Sequence, residues 1–175
     1  MNLPSISALN DLALDEFAAA LRPLFEAAGP LAKAVYAARP YASYAALIDH
    51  AESIGTLLPE AQQIELVNAH PRIGENAAVV RAQSALSFRE QGYDRESGLP
   101  TDELEPVQAA LAELNRAYED RFGFRFVVFV NRRPKSAIVE LVRDRLHNSR
   151  ATELATALHE LFAIARDRLK LIAES

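Results

Sequence analysis

Phe122-Gly123-Phe124-Arg125-Phe126-Val127-Val128-Phe129-Val130 is the stretch on which the fold turns. Its density of aromatic and β-branched residues reads as an extended segment, and a segment apolar on both faces is a buried one. A sheet would need a second strand, yet no other run in the 175 residues has comparable quality. The segment, near 124–130, therefore stands alone, and its backbone N–H and C=O groups must find partners in helices, side chains or a ligand. That makes it a candidate pocket wall.

Around it the chain reads as helix. Alanine is abundant, glycine numbers only six, and apolar residues recur mainly three and four apart. Leu14, Phe17, Leu21, Leu24 and Phe25 trace a first apolar face, within which Pro23 should kink or split the helix. Gly29-Pro30 punctuates, and a short helix follows that ends at Pro40. Ser43 suits the N-cap of a helix carrying Tyr44, Leu47, Ile48 and Ala51 inward and closing near Gly55. Pro59 suits the first position of the next, with Ile64 and Val67 on its apolar face. The conformation of 74–86 is not decided by its small apolar residues. Gly98 to Thr101 is a turn, and Leu104, Val107, Leu111, Leu114 and Tyr118 trace a long helix after it. Ser136 suits a cap for a helix through Ile138, Leu141, Val142 and Leu146, broken at His147-Asn148-Ser149. A last long helix carries Leu154, Leu158, Leu161, Phe162, Ala165 and Leu169. The expectation is an all-α fold: one domain, 1–175, a bundle of about eight helices with one buried extended segment.

Charge and composition exclude several functions. Nineteen Lys and Arg against 24 Asp and Glu give a net charge of -5, with both signs interspersed, which is no footprint for nucleic acid. The absence of cysteine rules out disulfides, thiolate metal sites and a cysteine nucleophile, and suits a reducing compartment. No apolar run is long enough to span a bilayer, and Met1-Asn2-Leu3-Pro4 lacks the basic start and apolar centre of a signal peptide. A soluble, cytoplasmic protein without membrane or nucleic-acid partners is expected.

Two polar stretches compete for attention. In Ala69-His70-Pro71 the proline bars the residue before it from the α region, so His70 should sit just past the last helical turn, its imidazole held. Carbonyls at that helix end would favour a protonated ring. Capping is the plainer reading of His70, and on this stretch alone the favoured one. In Ser87-Phe88-Arg89-Glu90-Gln91, Ser-x-x-Glu is a capping box. The same residues also set a hydroxyl, a carboxylate and an amide on one side of a helical turn. The cations near the end of the last helix, Arg166, Arg168 and Lys170, usually only complement its dipole, and Arg168 alone earns no functional claim.

Taken together, the chain resembles the 2-oxo-4-hydroxy-4-carboxy-5-ureidoimidazoline (OHCU) decarboxylases of urate degradation. The resemblance is carried by Phe17, Arg39-Pro40-Tyr41, Ala69-His70-Pro71, Ser87-x-x-Glu90-Gln91, Phe122-Gly123-Phe124-x-Phe126-Val127, Arg145-Leu146-x-Asn148 and Ile164-Ala165-x-x-Arg168-Leu169, in the family's order and spacing. Two places depart from it: Leu31-Ala32 stands for an aromatic pair, and Arg72-Ile73-Gly74-Glu75 follows His70-Pro71. The resemblance implies an all-helical, cofactor-free and commonly homodimeric enzyme that converts OHCU to (S)-allantoin and CO2. It implies His70 as the acid/base and Glu90 as its partner or an anchor for substrate N–H groups. Pro71 would set His70, Ser87 and Gln91 would be polar substrate contacts, Arg168 would meet the substrate carboxylate or a ring carbonyl, and backbone groups near Val128 would line the pocket. No metal site is implied. With the ordered set in hand, catalysis at His70 and Glu90 outweighs capping, while His50 and His159 remain surface residues. The rival readings are a hydrolase of a related ureido compound, with His70 activating water, and a non-catalytic helical interaction module.

Overall fold

The computed structural model describes residues 3–26, 29–96 and 101–173, so most of the turn expected at 98–101 lies outside the described residues. Among them the helices are α1 (Ile6–Asp11), α2 (Leu14–Phe25), α3 (Gly29–Ala37), α4 (Tyr44–Gly55), α5 (Glu60–Asn68), α6 (Ala77–Gln83), α7 (Ala85–Glu90), α8 (Tyr93–Glu96), α9 (Thr101–Phe122), α10 (Lys135–Arg145) and α11 (Arg150–Ala173). No strand occurs among the described residues. The all-α expectation holds, and the helices beyond about eight are short ones: α1, α6, α7 and α8 have seven residues or fewer. Among the described residues no helix is long and apolar enough to cross a membrane. The chain forms two compact units, the first of 1–70 with 158–175 and the second of 71–157.

In the first unit, Ser5 caps α1, its Oγ accepting from the Ala8 N–H at 3.2 Å. Phe17, Leu21, Leu24 and Phe25 are the buried face of α2, as their spacing requires. Pro23 does not split the helix; α2 runs on to Phe25 and stops at Glu26, whose φ is 60°. Pro30 is tolerated at the second position of α3, where the missing N–H would have had no intrahelical partner. Ser43 caps α4 as expected, accepting from the Ala46 N–H at 3.1 Å. Gly55 closes α4, and a Cβ there would meet the Phe162 ring at 2.8 Å, so glycine is what lets α11 pass close. Phe162 in turn meets Phe25 edge to face at 6.0 Å. Two local expectations fail at α5. Pro59 is its N-cap rather than its first residue, and burial falls on Leu66 and Val67, with Ile64 only half-buried.

The second unit contains the deciding segment. After α9 the chain turns at Gly123 (φ 80°), and residues 124–130 carry neither helix nor strand. Phe124, Phe126, Val127, Val128 and Val130 are buried. Arginine side chains take the place of a partner strand: Arg145 donates to the Val127 carbonyl at 3.0 Å, and Arg133 to the Phe129 and Val130 carbonyls at 2.6 and 3.1 Å. Arg150 holds the Phe122 carbonyl at 2.8 Å. Tyr118 on α9 packs its ring against Phe122, Phe124 and Phe126, with centroids 4.6, 6.0 and 5.2 Å away. Asn131 and Arg132, with φ of 46° and 60°, then turn the chain into α10. Its N-cap is Pro134, not Ser136, which lies inside the first turn. The undecided stretch at 74–86 contains α6, capped by Asn76, whose Oδ1 accepts from the Ala78 N–H at 2.9 Å. Gly74 before it has φ 77°, and a Cβ there would come within 2.7 Å of the Leu111 side chain.

Candidate active site

On the first unit, α5 ends as the His70-Pro71 pair requires. Ala69 is the C-cap of α5, with helical dihedrals, and the His70 N–H closes the turn on the Val67 carbonyl at 3.2 Å. His70 is buried, only 8% exposed. Arg168 departs from the plain reading of a cation complementing a helix end. It is fully buried, its Nη2 2.8 Å from Glu26 Oε1 and its Nη1 3.4 Å from the Pro23 carbonyl at the end of α2. Arg166 takes the surface role instead, bridging Asp49 and Glu52 at 2.8 and 2.6 Å.

On the second unit, α7 overturns the capping box. Its N-cap is Ser84, whose Oγ accepts the Ser87 N–H at 3.1 Å, so Ser87 stands inside the helix and is completely buried. The pattern Ser-x-x-Glu misled because a second serine three residues earlier does the capping. Glu90 is the last residue of α7 and Gln91 its C-cap. Three and four residues apart, Ser87, Glu90 and Gln91 lie on one side of this helix end. Gln91 is buried, and its side-chain carbonyl oxygen has no hydrogen-bond partner among the described residues. A buried acceptor left unpaired is costly, so such a group calls for an explanation. Around α7 runs a column of rings and cations. Arg81 lies 4.5 Å over Phe88, Phe88 stacks on Tyr93 at 5.4 Å, and the buried Lys135 Nζ lies 3.6 Å over Tyr93. The Tyr93 hydroxyl donates to the Glu75 carbonyl at 2.6 Å. Pro71 and Val128 are both buried in this unit.

Sequence reasoning missed a buried polar cluster beside Val128. Glu153, with no exposure, accepts from Arg145 Nε at 2.8 Å, from Asn148 at 2.7 Å and from the Tyr118 hydroxyl. Burial, and then the Glu153 carboxylate as acceptor, push the Tyr118 phenol well above its ordinary value. The signal was there in Asn148 at the helix break and Arg145 three residues before it, but a polar residue on an apolar helix reveals no partner. A second feature is a polar cleft of about 220 Å³ lined by Arg72, Gly74, Glu75, Asn115, Arg116 and Glu119 among others. It contains none of the expected site residues. There Arg72 forks onto Glu119, with Nη2 2.8 Å from Oε2, and holds the carboxyl below the usual carboxylate range. The remaining histidines, His50, His147 and His159, are exposed.

Residues 10–170 match the family model described as OHCU decarboxylase. The chain is 30% identical to the 2-oxo-4-hydroxy-4-carboxy-5-ureidoimidazoline decarboxylase of Halalkalicoccus jeotgali over 95% of its own length and 90% of the relative's. It is 32% identical to the uric acid degradation bifunctional protein of Bacillus sp. (strain TB-90), but spans only 31% of that longer protein. Its fold is similar to a crystal structure of OHCU decarboxylase in the presence of (S)-allantoin, with a TM-score of 0.64 and 22% identity over 87% of this chain and 96% of that one. The match through both units, together with a relative 30% identical and covered over 90% of its length, leads to one conclusion: the chain belongs to the OHCU decarboxylase family.

Proposed function

We propose that this protein decarboxylates OHCU, releasing CO2 and yielding (S)-allantoin, with His70 and Glu90 as its catalytic residues. The observation that carries the assignment to these particular side chains is Gln91: a buried carbonyl without a partner, at the same helix end as Ser87 and Glu90. A ureidoimidazoline is rich in N–H donors, and one of them is the partner this acceptor calls for.

The chemistry asks little of a cofactor. Loss of CO2 leaves an electron pair at the former carboxyl carbon, and the adjacent ring C=N accepts it. The protein has to hold the substrate, manage a proton and meet the ring and ureido groups with hydrogen bonds. His70 transfers the proton, and Glu90 sets its charge or anchors substrate N–H groups. Ser87 and Gln91 contact the substrate, Pro71 fixes the backbone that carries His70, Arg168 meets the substrate carboxylate or a ring carbonyl, and the backbone at Val128 lines the pocket. The family match runs through both units, which supports treating 1–175 as one functional domain. A homodimer and a cytoplasmic location complete the proposal.

The test is to generate OHCU in situ and follow optically active allantoin by circular dichroism. Accelerated, one-handed allantoin formation unaffected by EDTA is the expected result. Acceleration lost to EDTA and restored by a divalent ion contradicts the cofactor-free assignment. Disappearance of OHCU without CO2 release points to a hydrolase.

A further inference from the structure

We propose that Arg145 is a positioning residue for the Val127–Val128 peptide: by gripping the Val127 carbonyl it fixes the direction in which the Val128 N–H is offered to the substrate. The proposal rests on the reading above that backbone groups near Val128 contact the substrate.

Three observations carry it. First, Arg145 uses the two edges of its guanidinium for different purposes. Nε meets Glu153 at 2.8 Å, while Nη1 reaches the Val127 carbonyl at 3.0 Å. A planar fork reaches two acceptors with separate nitrogens at fixed directions, whereas an ammonium on a flexible stem offers its donors from one point and fixes neither direction. Second, the arginine is itself held on every side. It is 6% exposed, its guanidinium lies 4.5 Å from the Phe126 ring centroid, and the carboxylate that aims it is anchored by Asn148 and Tyr118. The grip is therefore rigid, reaching from α9 and α11 to the segment. Third, the Val127–Val128 peptide is trans, the one cis bond among the described residues being Arg39–Pro40. In a planar trans peptide the C=O and the following N–H point in opposite directions, so fixing the Val127 oxygen fixes the Val128 N–H. That N–H donates to no group among the described residues, although Val128 is only 5% exposed. A buried donor aimed by a buried network and left unpaired is suited to a ligand acceptor.

The test compares Arg145→Lys, which keeps the charge beside Glu153 but loses the fork, with Tyr118→Phe, which loosens the same cluster and leaves the fork in place. Melting temperature, kcat and KM for OHCU generated in situ, and the Val128 amide resonance with and without (S)-allantoin are measured for each. In the wild type, (S)-allantoin should move the Val128 amide; if it does not, Val128 is no substrate contact, and the premise falls along with the proposal. Given that response, Arg145→Lys should raise KM about tenfold or more with a smaller change in kcat and a displaced Val128 amide. Tyr118→Phe, in which Asn148 and Arg145 itself still hold Glu153, should keep KM within about twofold of wild type. Equal changes in KM for both variants, or an unchanged KM in Arg145→Lys, would reduce Arg145 to a structural residue and overturn the proposal while leaving the reaction itself standing. If Arg145→Lys does not fold, the neutral double variant Arg145→Gln/Glu153→Gln replaces it with the same expected rise in KM, and a wild-type KM there overturns the proposal equally.

Discussion

Arg145 in the second unit and Arg168 in the first are both buried and both face a carboxylate, yet they are held in different ways. The partner of Arg145, Glu153, has no exposure and is satisfied by two further donors. The partner of Arg168, Glu26, keeps 15% of its side chain exposed and sits one residue past the end of α2 with a φ of 60°. A fully desolvated pair is costly to break from one side, because the survivor is left as an uncompensated buried charge. A pair whose carboxylate reaches water can lose its cation at lower cost. The difference separates a frame from a working group. Arg145 fixes backbone, whereas Arg168 is the cation that the proposed function turns toward substrate.

The comparison breaks most visibly on stability. Arg145→Met should cost about 3–5 kcal/mol in denaturant unfolding, through the stranded Glu153. Arg168→Met should cost about 1–3 kcal/mol, the worth of hydrogen bonds to a charged group, yet raise KM for OHCU strongly. Equal stability losses with KM unchanged in Arg168→Met would erase the distinction. Glu90→Gln sharpens the account of the site in kinetic terms. A large fall in kcat would assign Glu90 to setting the charge of His70, and a rise in KM alone would make it an anchor. Smaller in its effect on folding is Gln91→Leu. Removing an acceptor without a partner should leave stability within about 1 kcal/mol of wild type or improve it, while KM rises. A marked loss of stability with normal kinetics would make Gln91 a structural residue.

The smallest expected effect is on the surface, at Arg72 and Glu119. The arginine holds the Glu119 carboxyl below its ordinary value, so the pair contributes stability above the unfolded carboxylate pKa of about 4.3 and loses it as pH falls through the lower folded value. Both side chains are substantially exposed, 37% and 27%, and screening keeps the contribution modest. A double-mutant cycle should give a coupling that is constant between pH 6 and 8, on the order of a few tenths of a kcal/mol to 1 kcal/mol, and fades in acid. A coupling that grows as the pH drops would reverse the sign of the argument.

Much of this architecture was legible because it follows from local rules. Ser43 capped its helix, Gly55 closed it, and the residues of α2 turned the face their spacing dictated. The lone segment at 124–130 was legible too, including its need for unusual backbone partners, but not that arginines would supply them. That choice depends on Arg133, Arg145 and Arg150, which only the folded chain brings to the carbonyls. Ser87 failed for a local reason, since Ser84 competed for the same cap. Ile64 failed because tertiary burial outweighs periodicity. Of the site, His70 just past its helix and the Ser87, Glu90 and Gln91 turn were readable from spacing. The buried state of Arg168 was not, for its neighbours on α11 are ordinary surface cations.

The measurement that bears most directly on the central claim is the turnover of His70→Asn. Asparagine keeps a polar group at the end of α5 but is no useful acid or base at neutral pH. If His70 moves the proton, kcat for OHCU should fall by roughly 100-fold or more while the melting temperature barely changes. If it only closes a helix, the variant should lose about 1 kcal/mol of stability and keep its turnover. A folded His70→Asn protein that forms (S)-allantoin at close to the wild-type rate would contradict the catalytic assignment.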